Sequence, residues 1–159
     1  MSNTTPSAAS NLKLPTEVLE YFPYSAARPH QDEFITTVNK AVNERKSVLI
    51  EGANGLGKTI SSLSAVLPVA MKKNLKILYV ARTHRQHDRV IDELRAIYKR
   101  RPVTGVSIRG RNEMCLNVFA EKGAFDSKSL MEVCELLKSK GRCPYYKNVE
   151  NRSYEYLQL

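Results

Sequence analysis

The chain has 159 residues, room for about one domain. Apolar residues make up 42% and charged residues 26%, a globular balance that excludes collagen, mucin and wholesale disorder. No run of about 18 apolar residues exists, so a helical membrane span is excluded as well. Lysine and arginine outnumber aspartate and glutamate 25 to 16, a net charge of +9. Residues 1–13 are rich in Ser and Thr and predict a flexible tail without a secretory apolar region. Residues 17–24 (EVLEYFPY) are amphipathic and aromatic. From Gln31 to Lys46, the apolar residues Phe34, Ile35, Val38, Ala41 and Val42 fall on one helical face. Residues 47–51 (SVLIE) predict a short buried strand, followed by a glycine-rich loop over 52–59. Residues 60–73 predict a helix, kinked or ended near Pro68. Residues 76–81 (KILYVA) predict a second strand. Residues 84–100 predict a second amphipathic helix, with Val90, Ile91, Leu94, Ile97 and Tyr98 inward. Residues 106–108 predict a third strand. Alternation of this kind implies a parallel sheet with helical crossovers, an α/β fold. After Gly110 the pattern changes: no further strand is predicted, and one short helical run spans 127–138.

The positive charge is localised. Residues 76–112 hold ten basic and three acidic side chains, a net +7, whereas residues 113–159 are neutral overall. A basic stretch suits a polyphosphate partner, nucleic acid above all; a solvated helix face would carry the same charge.

Gly52-Ala-Asn-Gly55-Leu-Gly57-Lys58-Thr59 matches the phosphate-loop pattern G-x-x-x-x-G-K-S/T in full, with an apolar strand predicted before it and a helix after it. Gly52, Gly55 and Gly57 let successive backbone N–H groups converge on phosphate oxygens. The helix that follows points its positive end at the same anion. Lys58 is expected on the terminal phosphates and Thr59 on Mg²⁺. The implied ligand is a nucleoside triphosphate such as ATP. The loop alone names no reaction, since kinases, GTPases and motor ATPases share it.

Cys115, Cys134 and Cys143 are spaced C-x18-C-x8-C. An odd number of cysteines in a chain with no export signal fits disulfides poorly. Metal or cluster ligation and buried, inert thiols both remain open on spacing alone. The absence of a C-x2-C pair argues against a zinc ribbon.

Four elements stand around the phosphate loop in order. Arg28-Pro-His-Gln31 lies upstream, with Gln31 27 residues before Lys58. Ala81-Arg82-Thr83-His84-Arg-Gln86 follows the second strand, Arg109-Gly-Arg-Asn-Glu-Met-Cys115 follows the third, and Cys143-Pro-Tyr-Tyr-Lys-Asn148 comes later. Together they resemble the XPD-like iron–sulfur DNA helicases of superfamily 2, over roughly residues 21–149. The resemblance implies a RecA-like parallel sheet with helices on both faces over 14–110. It also implies a partial, mostly irregular or helical Cys-rich iron–sulfur insertion over 111–159. Gln31, with Arg28 beside it, matches the glutamine that reads adenine; its amide offers one donor and one acceptor to a base edge. Arg82, Thr83 and His84 match the motif that contacts single-stranded DNA, where such groups grip phosphates without reading bases. The three cysteines match the first three ligands of a [4Fe–4S] cluster.

The implied whole is an ATP-dependent helicase with a role in DNA repair. It would couple hydrolysis to translocation on single-stranded DNA and unwinding at forks. It would be monomeric and intracellular: cytoplasmic in a prokaryote, nuclear in a eukaryote. The sequence departs from the family in lacking a fourth cysteine after Cys143, a D-E-A-H element and a second motor domain. Val90-Ile-Asp-Glu93 sits in a periodic helix and reads as surface charge rather than as that acidic element. The chain is therefore expected to be a truncated, N-terminal piece, inactive by itself. The alternatives are a non-catalytic, nucleic-acid-binding P-loop module and a compact P-loop kinase, although a kinase would need a lid where the Cys-rich segment stands.

Overall fold

The computed structural model describes residues 13–117 and 126–150. The tail expected over 1–13 lies almost wholly outside the described residues. The chain divides into two units, Met1–Ser107 and Ile108–Leu159.

In the first unit the helices are α1 (Thr16–Leu19), α2 (Gln31–Asn43), α3 (Lys58–Lys72) and α4 (His84–Tyr98). Three of them match the helices predicted from periodicity. Asp32 and Glu33 in the first turn of α2 and Lys40 in its last complement the helix dipole. Thr83 caps α4 through a reciprocal capping box with Gln86. Helix α3 is central, packing on α1, α2 and α4. The core joins Val18, Tyr21 and Phe22 to Ile35 and Val38 of α2, Ile60, Leu63 and Leu67 of α3, and Ile97 of α4.

Buried polar bonds tie α3 to its surroundings. Asn39 Nδ2 donates to Ala65 O at 2.9 Å, and Ser64 Oγ donates to Tyr21 O at 2.9 Å. Pro68 neither ends nor interrupts α3, which runs on to Lys72. Proline forfeits one helical bond, but Leu67, Pro68, Val69 and Ala70 are all buried, and their packing holds the turn.

The expected sheet is where sequence and structure part. Residues 47–51, 76–81 and 106–108 form no strand ladder among the described residues. Leu49 is 101% exposed, Leu78 87% and Val80 80%. Parallel strands are stabilised by cover on both faces. Here the helices turn their apolar faces to one another, and these segments go largely uncovered, with Ile50 packed against the core.

Two side chains of α4 also depart from expectation. Tyr98 is exposed rather than inward, and Glu93 is buried rather than surface charge. The Tyr24 hydroxyl donates to Glu93 Oε2 at 2.7 Å, and Arg89 Nε lies 3.6 Å from Glu93 Oε1. Arg100, just past the end of α4, donates to Phe22 O at 2.6 Å, a second tie to the segment before α2. The bond to Glu93 raises the Tyr24 phenol above the ordinary tyrosine value, with burial and the Glu93 charge adding to it. A raised folded value means that this stabilisation is complete below the unfolded pKa of about 10 and lost as pH rises through the folded one. Tyr24→Phe therefore lowers stability at pH 8, and the gap to the unmodified chain is narrower at pH 11. Urea denaturation at both pH values measures this; a gap that stays constant would show that the phenol proton takes no part.

In the second unit the helices are α5 (Arg111–Met114), α6 (Ser127–Ser139) and α7 (Pro144–Glu150). Helix α6 is the predicted run, capped by Asp126, whose carboxylate accepts from Ser129 N at 2.7 Å. That bond holds the Asp126 carboxyl below the usual range. No helix among the described residues is long and apolar enough to cross a membrane.

Candidate nucleotide-binding site

The glycine-rich loop leads straight into α3. Gly55 (φ 88°) and Gly57 (φ 84°) take left-handed conformations, and Gly57 caps the helix. A side chain at either would be strained, which is why the loop needs glycine there. Gly52 has a different reason: a Cβ on it would lie 2.8 Å from the Leu56 side chain. Lys58 is the first residue of α3 and folds back over the loop. Its Nζ donates to Gly52 O at 2.8 Å and to Ala53 O at 3.0 Å. Thr59 follows in the first turn, partly exposed. The Arg28 guanidinium donates to Gly55 O from outside the loop.

A cavity of about 670 Å³ opens beside the loop. Residues 52–56 form one wall, and Arg28, His30, Phe34 and Thr37 are on the other. The sequence-predicted residues Arg28, Gly52 and Gly55 line it, whereas Gln31, Gly57, Lys58 and Thr59 do not. Gln31 is buried, and its amide turns towards α3, where Nε2 donates to Ser61 Oγ at 3.0 Å. Sequence reasoning missed Ser61. Its signal is a serine at the buried start of an otherwise apolar helix face, four residues after Gly57.

Arg82, Thr83 and His84 gather at the start of α4. Gln86 Oε1 accepts from the backbone N–H of Arg82 (3.0 Å) and of Thr83 (3.2 Å). Thr83 Oγ1 accepts from Gln86 N at 3.4 Å, so its hydroxyl serves the cap. The Arg82 side chain is exposed, and the His84 ring lies 6.2 Å from that of His87. The N-terminus of a 15-residue helix beside an exposed guanidinium is a place where phosphate oxygens are welcome.

The cysteines belong to the second unit. Cys115 follows α5, Cys134 sits on α6 and Cys143 precedes α7; all are free and half-buried. Tyr145 donates to Leu116 O at 3.0 Å, joining the neighbourhoods of Cys143 and Cys115. Thiols are the right donors for an iron–sulfur cluster. Yet among the described residues no three His, Cys, Asp or Glu side chains stand together to hold a metal ion.

Residues 79–158 match the family model described as DEAD_2. The chain is 24% identical over 159 residues to the general transcription and DNA repair factor IIH helicase subunit XPD of Dictyostelium discoideum, covering 89% of this chain and 20% of that protein. It is 29% identical over 109 residues to the ATP-dependent DNA helicase XPD of Sulfolobus acidocaldarius, covering 69% of this chain and 19% of that protein. The chain thus spans about a fifth of the length of these relatives. No solved structure matches it. The family match runs from the second extended segment through α4 and all three cysteines, and on that ground this chain belongs to the DEAD_2 family, with its likeness among the XPD helicases.

Proposed function

We propose that this chain is the nucleotide-binding part of an ATP-dependent DNA helicase. The observation that carries the reading is the glycine loop, with its two left-handed turns, leading into α3 with Lys58 and Thr59 at its start. Lys58 would turn from its loop carbonyls to the β- and γ-phosphates of ATP. Thr59 would hold Mg²⁺, which supplies positive charge to the same oxygens. Arg28, on the cavity wall, stands on the nucleoside side; Gln31 would read the base by resemblance alone, its amide being engaged here with Arg28 N and Ser61 Oγ. In the whole protein, segments 47–51, 76–81 and 106–108 are strands of a RecA-like parallel sheet. Cys115, Cys134 and Cys143 are ligands of a [4Fe–4S] cluster by resemblance alone.

Arg82, Thr83 and His84 contact single-stranded DNA at its phosphates. The helicase translocates along that strand and unwinds forks as a monomer. Hydrolysis needs an acidic residue on the metal, a group to position water and, in most such enzymes, an arginine finger. The sequence offers no D-E-A-H element, so this chain by itself binds nucleotide without turnover.

The test is a pair of titrations on the chain, with a fluorescent ATP analogue plus Mg²⁺ and with labelled oligo-dT. Expected are saturable nucleotide binding, no phosphate release, and DNA binding that weakens steeply from 50 to 200 mM salt. Arg82→Ala reduces the slope of log K against log salt by about 0.7, one phosphate contact on a single strand. DNA binding that ignores salt, or an unaltered slope in the variant, would remove α4 from the DNA interface.

A further inference from the structure

Among the described residues, Glu93 is the only buried side chain that carries a charge, 6% exposed on α4. A buried ion pair adds little net stability, because desolvation offsets the Coulomb gain, and an apolar side chain of similar size would seat the helix as well. What a carboxylate adds is direction: it is satisfied only while its partners stand in place. Those partners come from two elements. Arg89 Nε lies 3.6 Å from Oε1 on the same helix, and the Tyr24 hydroxyl donates to Oε2 at 2.7 Å from the segment before α2.

Both ends of the Tyr24–Glu93 bond lead to a candidate site. Tyr24 lies edge-on to the fully buried Phe22, whose carbonyl accepts from Arg100 just past α4. Four residues after Tyr24 comes Arg28, which bonds to the Gly55 carbonyl of the phosphate loop. The charges of Arg28 and Arg89 both act on the Tyr24 phenol, so it stands within reach of the loop's arginine and of one on α4. At the other end, α4 begins at His84, capped by Thr83 and next to the exposed Arg82.

We infer that Tyr24 and Glu93 are positioning residues that join the phosphate loop to the start of α4, so that nucleotide at the one and single-stranded DNA at the other alter each other's affinity through their bond. The inference rests on the function proposed above and assigns a route within it. A shift of α4 against the segment that carries Arg28 either moves both or strands the Glu93 carboxylate, and a buried charge left unpaired is costly. A ligand that holds one end therefore limits where the other can go, and linkage makes the effect reciprocal.

The intact chain and its Tyr24→Phe, Glu93→Gln and Asn39→Ala variants are titrated with labelled oligo-dT, with and without Mg²⁺ and a non-hydrolysable ATP analogue. The analogue is titrated likewise with and without oligo-dT, well below the urea transition of each variant. In the unmodified chain each ligand is expected to change the other's affinity by the same factor, about fivefold or more. Tyr24→Phe should bring that factor below about twofold, while each ligand alone binds nearly as before. Glu93→Gln keeps a carbonyl oxygen to accept from the phenol and should retain the factor. Asn39→Ala loses a buried bond between α2 and α3, away from the link, and should retain it too.

A factor that survives Tyr24→Phe, that is lost as fully in Asn39→Ala, or that is absent from a chain binding both ligands would overturn the inference. If Tyr24→Phe does not fold, the variant carrying both Tyr24→Phe and Glu93→Leu decides, since it leaves no carboxylate unpaired. If nucleotide or oligo-dT does not bind the unmodified chain, the proposed function is what fails. Amide hydrogen exchange without ligand then decides the link: Tyr24→Phe should speed exchange over both 52–61 and 84–90, and a change confined to one of them, or none, would overturn it.

Discussion

Lys58→Ala lowers the affinity of the chain for ATP and ADP by about tenfold or more. A charge-assisted bond to phosphate is worth roughly 1.5–3 kcal/mol, and about 1.4 kcal/mol is a factor of ten. The net effect is smaller than the gross bond, because Lys58 already donates to Gly52 O and Ala53 O and must give up both. Arg28 does not replace it, since its guanidinium is held on Gly55 O at the cavity wall. The substitution leaves the fold alone: Lys58 is exposed, and alanine is a good residue for the first turn of a helix. Fluorescent-nucleotide titration of both chains measures it, with circular dichroism as the check on folding. Equal affinities would mean that the loop is not the nucleotide site.

The helices and the phosphate loop were legible because local rules govern them. The stripe Ile35, Val38, Val42 marks α2, and the stripe Val90, Leu94, Ile97 marks α4. The glycine pattern states the loop conformation almost directly, and Gly55 and Gly57 take the left-handed turns it requires. What the sequence hid depends on partners distant along the chain. Glu93 looks like one more charge on a basic helix until Tyr24, 69 residues away, donates to it. Ser61 and Asn39 look like tolerated polar residues until Gln31 and the Ala65 carbonyl are found against them. The strands were read from composition, and composition cannot say what covers a strand. Val48, Leu49, Leu78 and Val80 have the apolar character of a buried sheet and are exposed here. Cys115, Cys134 and Cys143 were assigned from the words around them, a resemblance that fixes no distances.

Phe22→Ala and Leu49→Ala remove comparable apolar side chains, and their contrast tests the architecture. Phe22 is fully buried, edge-on to Tyr24 at 5.8 Å between ring centroids, in the core shared by α2, α3 and α4. Its loss costs about 3–5 kcal/mol, the range for deleting a buried aromatic side chain. A unit of this size has only about 5–15 kcal/mol in total, so the first unit should be largely unfolded at moderate urea. Leu49 is fully exposed, and its loss should fall within about 0.5 kcal/mol. Urea midpoints of the two variants measure both effects, with unchanged m-values confirming that the transition is the same. A large loss from Leu49→Ala would place residues 47–51 inside a packed sheet in this chain. A small one means that the helices carry the stability and that residues 47–51 contribute little to it in this chain.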